Sequence, residues 1–168
     1  MSEVSNTYCL DANVLIQAWQ KYYSPVLCPD YWKVLDSLGS EARIFICQEV
    51  YDEIVKTEDD LSSWLKASNI PVRKANESVI ESLKEIYATP AHLRLVDNTK
   101  SRSLADPWII AHAMDTNSVV VTKEEKVTQA NSTKVKIPNV CDNVGVRWIN
   151  DFIFVQELNF KFSCQLIQ

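Results

Sequence analysis

Four acidic residues of this sequence lie close to the ends of short apolar segments. Asp11 directly follows one such segment, and Glu124 comes shortly after another. Glu53 lies about one helical turn beyond the end of a third, and Asp106 opens the helix that leads to the segment before Glu124. Converging carboxylates raise one another's pKa, and Mg²⁺ or Mn²⁺ relieves this conflict because hard cations prefer oxygen ligands. The placement of these acids predicts that they converge on a site for a divalent metal ion.

Each of these acids also has a purely structural interpretation. Asp11 is a typical residue to cap the N-terminus of a helix, and Asp106 stands before a proline, which is typical of the same position. Glu49 suits the first turn of a helix because of the helix dipole, whereas Glu53 lies deeper in that helix. Glu124 could be a solvated loop charge. The coincidence of three acids at or one helical turn beyond strand ends, with Asp106 at the start of a helix that leads to a strand, therefore carries more weight than any one of them.

Short apolar strands that alternate with helices surround these acids. Strands are predicted at 4–10, 43–47 and 118–122, with a further short strand near 135–140 and an edge strand at 161–167. Helices are predicted at 13–23, 30–38, 48–57, 58–68, 76–87, 104–114 and 146–158, and a loop at 89–103. This alternation predicts parallel strands joined by crossovers, in a three-layer α/β fold. Ligands of such sheets bind beyond the carboxyl ends of the strands, where the acids lie.

Composition excludes several other classes of protein. The 168 residues are 46% hydrophobic and 23% charged, which is typical of a globular chain. With only two glycines, the sequence contains no glycine-rich phosphate-binding loop. No apolar run is long enough to span a membrane, and five unpaired-looking cysteines indicate reduced thiols in a cytoplasmic protein. The net charge of −5 is unusual for a nucleic-acid binder, but two bound divalent ions would cancel most of it.

Four segments of the chain resemble the signature segments of PIN domains and occur in the same order. They are Tyr8-Cys9-Leu10-Asp11-Ala12-Asn13-Val14-Leu15-Ile16, Val50-Tyr51-Asp52-Glu53-Ile54, Ala105-Asp106-Pro107-Trp108-Ile109-Ile110-Ala111-His112-Ala113 and Val119-Val120-Val121-Thr122-Lys123-Glu124. The resemblance covers residues 6–126, and the remainder is similar to an uncharacterised bacterial and archaeal PIN-like branch. It implies one PIN-like domain over 1–168, with an α/β/α fold around a mostly parallel sheet.

The resemblance also implies roles for particular residues. Asp11, Glu53 and Asp106 match the metal-binding acids of the family, and this match, together with their placement near strand ends, predicts that their carboxylates lie close enough to share one metal ion. Glu124 stands where the family usually has an aspartate, so its longer side chain is a departure, and Glu125 is an alternative ligand. The supporting residues are Thr122, which matches a hydroxyl that orients the acids, together with Asn13 beside the first aspartate and Glu49 in the helix of Glu53.

Many PIN domains are metal-dependent ribonucleases, notably the toxins of VapBC toxin–antitoxin pairs. The resemblance therefore implies hydrolysis of RNA phosphodiester bonds with Mg²⁺ or Mn²⁺. It also implies a small antitoxin as partner and no membrane association, and it leaves open whether the protein forms a homodimer. Candidate phosphate contacts are the basic residues near the acids, namely Arg94, Lys100, Arg102 and Lys123. His112, six residues beyond Asp106 on one helix, is expected to pack in the core. The alternative function is a PIN fold kept as a binding or scaffolding module.

Overall fold

A computed structural model describes residues 5–96 and 104–168, so the predicted phosphate contacts Lys100 and Arg102 lie outside the described residues. The described chain forms a five-stranded sheet in which all paired strands are parallel and the order is β3-β2-β1-β4-β5. The strands are β1 (Tyr8–Leu10), β2 (Ile44–Cys47), β3 (Val72–Arg73), β4 (Val119–Val121) and β5 (Trp148–Ile149). The three-layer α/β/α prediction is confirmed, because helices flank this sheet.

Eight α-helices are formed by the described residues. They are α1 (Ala12–Gln20), α2 (Pro29–Ser40), α3 (Gln48–Val55), α4 (Asp60–Ala67), α5 (Glu77–Tyr87), α6 (Asp106–Thr116), α7 (Ile137–Val144) and α8 (Asp151–Glu157), with a 3₁₀ helix at Pro90–Leu95. The central strands β1, β2 and β4 are buried along their whole length, which explains why they read as continuous apolar runs without alternation. The crossovers place the carboxyl ends of all five strands at one edge of the sheet.

Three predictions in the C-terminal third are wrong. Residues 137–144, where a further short strand was expected near 135–140, form helix α7, which has a proline in its first turn. The single helix predicted at 146–158 is divided into β5 and α8, because the side chain of Asn150 accepts a hydrogen bond from the backbone N–H of Ile153 and starts the helix there. Residues 161–167 form no edge strand; Phe162 stacks on Tyr23, whereas Cys164 and Leu166 are exposed.

Smaller differences concern element ends. The short strand β3 was not predicted, and α2 continues past Gly39 to Ser40. The 3₁₀ helix at Pro90–Leu95 lies in the segment 89–103, where a loop with some local structure was expected. A Cβ atom at Gly39 would lie 2.8 Å from the Cα of Ile70, so glycine is needed where the helix approaches this backbone.

The five cysteines are free. No helix among the described residues is long and apolar enough to cross a membrane.

Candidate active site

The carboxyl-end edge of the sheet brings together the acids that follow β1 and β4. Asp11 directly follows β1, and its backbone N–H donates to the carbonyl of Val121 at the end of β4, over 2.9 Å. Thr122 and Glu124 continue from β4 at the same edge, and α6 begins at Asp106. The parallel register of β1 and β4, with Leu10 opposite Val121, therefore determines which side chains face one another.

Asp11 is a buried carboxylate with one strong hydrogen-bond partner. It is 4% exposed, and its Oδ2 accepts a hydrogen bond of 2.9 Å from Thr122 Oγ1. Burial raises the pKa of Asp11 to about 6, and Glu124 raises it as well. The Thr122 hydroxyl and the backbone N–H groups of Ala12 and Asn13 lower this pKa. Thr122 thus holds Asp11 in place and favours its charged form, which is the orienting contact expected of that residue.

Asp106 has the most strongly raised pKa of the acid cluster, by which we mean Asp11, Glu53, Asp106 and Glu124. It is 8% exposed, and burial raises its pKa to about 9, with further increases from Asp11, Glu124 and Glu53 in that order. The positive charge of Lys136 lowers it, but this is the smallest of the five effects. Asp106 is the first residue of α6, the N-cap position belongs to the residue before it, and no side chain forms a capping hydrogen bond. The capping interpretation of Asp106 is therefore wrong, and its burial among other acids calls for a different explanation.

Glu124 joins the cluster to helix α7. Its Oε2 accepts a hydrogen bond of 2.8 Å from the backbone N–H of Ile137, the first residue of that helix, and its own N–H donates to Thr122 Oγ1. Lys136 Nζ lies 3.7 Å from Glu124 Oε1. Glu124 raises the pKa of both Asp11 and Asp106, whereas the neighbouring Glu125 is exposed. Glu124 is therefore better placed than Glu125 to complete the site.

Glu49 and Glu53 approach the cluster from α3. Both line a cavity of about 280 Å³ that is closed on the other side by Leu104 and Ala105, directly before Asp106. One carboxylate oxygen of Glu49 is buried without a hydrogen-bond partner. The charge of Glu53 raises the pKa of Asp106, although less than burial, Asp11 and Glu124 do.

The four carboxylates interact through their charges but are not arranged as finished metal ligands. Within residues 5–96 and 104–168, no group of three or more His, Cys, Asp or Glu side chains is positioned to hold a metal ion. The expectation that Asp11, Glu53 and Asp106 already share one ion is therefore not met in this conformation. The donor chemistry does fit Mg²⁺ or Mn²⁺, because the cluster offers carboxylate oxygens and carries charges that raise the pKa of Asp106.

Asp151, a fifth acid at this edge, escaped the sequence analysis. It follows β5, is fully buried, and accepts hydrogen bonds from Tyr22 Oη (2.6 Å) and Lys123 Nζ (2.8 Å). Lys123 therefore has a protein partner already, and its predicted phosphate contact would have to compete with Asp151. An aspartate directly after a strand and an asparagine cap was the available signal, but the predicted helix at 146–158 obscured it.

The other predicted residues have simpler surroundings. Arg94, on the 3₁₀ helix, and Asn13, in the first turn of α1, are both exposed. His112 is 1% exposed, and burial lowers its pKa, so the ring is neutral and packs near Phe45 as expected for a core histidine. Tyr31 and Trp32 are buried in the aromatic core.

Comparisons with known proteins agree on this architecture. The family model described as "Domain of unknown function (DUF4411)" matches residues 8–162. The fold is similar to that of VapBC2 from Rickettsia felis bound to a DNA fragment from its promoter, with a TM-score of 0.55 and 17% identity over 86% of this chain and 98% of the other. It is also similar to VapBC-1 from nontypeable Haemophilus influenzae, with a TM-score of 0.54 and 18% identity over 86% and 97% of the two chains.

At this level of identity the likeness concerns the fold alone, and it confirms the PIN-like fold that the sequence predicts. No curated protein matches the sequence of this chain.

Proposed function

We propose that this chain, which belongs to the DUF4411 family, is one PIN-like domain that acts as a metal-dependent endoribonuclease. The observation that carries this proposal is the burial of Asp106 among Asp11, Glu124 and Glu53, which raises its pKa to about 9. A carboxylate kept in such surroundings costs stability without a cation, so its presence at the strand ends is better explained by a function than by folding.

Asp11, Glu53, Asp106 and Glu124 would hold one or two ions of Mg²⁺ or Mn²⁺. When bound, such an ion supplies a water of lowered pKa as nucleophile and stabilises the negative charge that develops on the phosphate. Thr122 orients Asp11 through its 2.9 Å hydrogen bond. The backbone N–H of Ile137, at the start of α7, holds one carboxylate oxygen of Glu124 in place. Glu49, one turn before Glu53 on α3, would be a supporting residue of the site.

The natural context that we propose is a toxin restrained by a small antitoxin in the cytoplasm. The support is the similarity of the fold to two VapBC complexes. Arg94, Lys100, Arg102 and Lys123 are proposed to meet RNA phosphates. A homodimer is compatible with this proposal.

A direct test is cleavage of single-stranded and structured RNA by the purified protein, with Mg²⁺ or Mn²⁺ and with EDTA. The expected result is cleavage that needs the metal and is lost in Asp11→Asn, which keeps the size of the side chain and removes its charge. In parallel, Mg²⁺ should raise the unfolding temperature of the wild type, because an ion that binds only the folded state stabilises it.

The second candidate is a PIN-like fold that binds without turnover. The observation in its favour is that, within the described parts of the chain, the acids are not arranged as finished metal ligands. RNA binding without metal-dependent cleavage, and no thermal shift with Mg²⁺ or Mn²⁺, would support this second candidate against the nuclease.

A further inference from the structure

Phe152 is an exposed aromatic residue at the same edge of the sheet as the acid cluster. It is the second residue of α8, directly after Asp151 at the carboxyl end of β5, and it is 47% exposed. Almost half of its surface is therefore accessible to a ligand at the edge of the sheet that carries the acids.

The ring of Phe152 is supported by a fixed cation. Lys123 Nζ lies 4.5 Å from its centroid, and the ring of Tyr22 lies 5.5 Å away at an angle of 42°. Lys123 is in turn held by Asp151 at 2.8 Å, and the hydroxyl of Tyr22 donates to the same carboxylate over 2.6 Å. The ring thus has Lys123 and Tyr22 as neighbours before any ligand arrives, and such preorganisation reduces the entropic cost of binding.

Lys123 also relates the ring of Phe152 to the acid cluster. It stands between Thr122, which holds Asp11, and Glu124, which belongs to the acid cluster. Phe152 and the acid cluster are therefore connected through Lys123, which contacts the ring and is flanked by Thr122 and Glu124 in the chain.

We propose that Phe152 is a stacking platform for an unpaired nucleobase of a single-stranded RNA substrate, next to the phosphate that is cleaved. This inference rests on the proposed nuclease function and specifies its substrate. Aromatic side chains bind single strands in this way because every base has a π face, and a cation beside the ring adds to the attraction. A base that remains paired in a duplex has no free face for the ring, so the platform selects for unpaired RNA.

The test measures kcat and KM on a short single-stranded RNA for Phe152→Ala, Phe152→Leu and Phe152→Trp. Removing a stacked base contact typically weakens binding by roughly tenfold, so Ala and Leu should raise KM by about that factor without changing kcat, while Trp should restore it. Leu retains an apolar cover over Lys123, so it serves if Ala does not fold. The matched control is Phe162→Ala, because Phe162 is equally exposed at 50% but stacks on Tyr23 instead of lying over Lys123, and its KM should be unchanged.

A second set of substrates carries one abasic nucleotide at each position in turn. At one position the missing base should raise the KM of the wild type by the same factor, and Phe152→Ala should add no further loss there, as expected for two groups that act through one contact. Binding is also followed by fluorescence anisotropy in the Asp106→Asn protein, which separates affinity from turnover.

Unchanged KM and affinity in Phe152→Ala, with normal cleavage by the wild type, would overturn the stacking platform and leave the nuclease intact. Binding that depends on Phe152 without any cleavage would retain the platform and remove the nuclease. Wild-type protein that neither binds nor cleaves RNA would overturn both.

Discussion

Helix α8 has a carboxylate near each end, and the two ends show how the edges of the sheet differ. Asp151, at the carboxyl-end edge, accepts hydrogen bonds from Tyr22 and Lys123. Glu157, at the opposite edge, is paired with Arg147 and accepts a hydrogen bond of 2.9 Å from Tyr8 Oη. Both acids are thus compensated by one cation and one phenol, and both fasten α8 to the sheet.

The two edges differ in the other acids that they carry. At the opposite edge, Arg147 lowers the pKa of Glu157. At the carboxyl-end edge, burial and three neighbouring acids raise the pKa of Asp106 to about 9, and Lys136 offsets little of this. At the opposite edge, the cation beside Glu157 favours the charged carboxylate and the folded state. At the carboxyl-end edge, several acids lie together, and a bound cation would relieve their mutual effect on pKa.

The largest effect on the difference between the two edges is expected from Asp106→Asn. Any ribonuclease activity should fall by at least about two orders of magnitude, or about 2.7 kcal/mol of transition-state stabilisation. Without metal, the free energy of unfolding should be equal to or above that of the wild type: with a pKa of about 9, Asp106 must stay protonated in the folded protein at neutral pH, whereas the unfolded chain releases this proton, and asparagine removes that cost. Mg²⁺ should then raise the unfolding temperature less than in the wild type. An unchanged metal response with retained cleavage would show that Asp106 takes no part in the site.

A second test addresses the buried pair at the acidic edge. Lys123→Met leaves Asp151 buried without its cation, and breaking such a pair typically costs about 3–5 kcal/mol in the free energy of unfolding. The double variant Lys123→Met/Asp151→Asn should regain much of this loss, since no unpaired charge remains. Urea denaturation measures both; a loss in the double variant as large as in the single one would contradict the charge explanation.

Thr122→Val tests a smaller contribution at the same edge. The change keeps the shape of the side chain and removes the hydroxyl that donates to Asp11, so we expect a cost of about 1 kcal/mol in unfolding free energy. The pKa of Asp11 should rise further above about 6, since the hydroxyl lowers it. Titration of the Asp11 carboxyl by NMR checks the shift, and Thr122→Ser, which retains the hydroxyl, is the matched control.

The smallest effect is expected at the opposite edge. Glu157→Gln removes a partly exposed ion pair, worth about 1 kcal/mol or less, and should leave RNA cleavage unchanged. Because the folded protein lowers the pKa of Glu157, its contribution is present at neutral pH and is lost as the pH falls through that lowered pKa. Denaturation between pH 6 and pH 3 should therefore show a weaker acid dependence in the variant. A large loss of activity would contradict the assignment of this edge to stability.

The sequence alone was sufficient for the α/β layers and for the main acids. Apolar strands that alternate with helices require parallel strands, and parallel strands bring Asp11 and Glu124 to one edge. The signature segments then identified Glu53 and Asp106, which lie on helices. Local patterns failed in the C-terminal third, where Ile137–Val144 is helical and Trp148–Ile149 pairs with β4.

Only the tertiary structure decided which charges are paired and which are left together. Lys123 reads as a free surface cation beside Glu124, yet it is bound to Asp151, 28 residues away. Asp106 reads as a helix cap, yet it makes no capping bond and is buried among acids from other elements. A pKa depends on the charges and the solvent within a few ångströms, and for these residues folding brings those charges from distant parts of the chain.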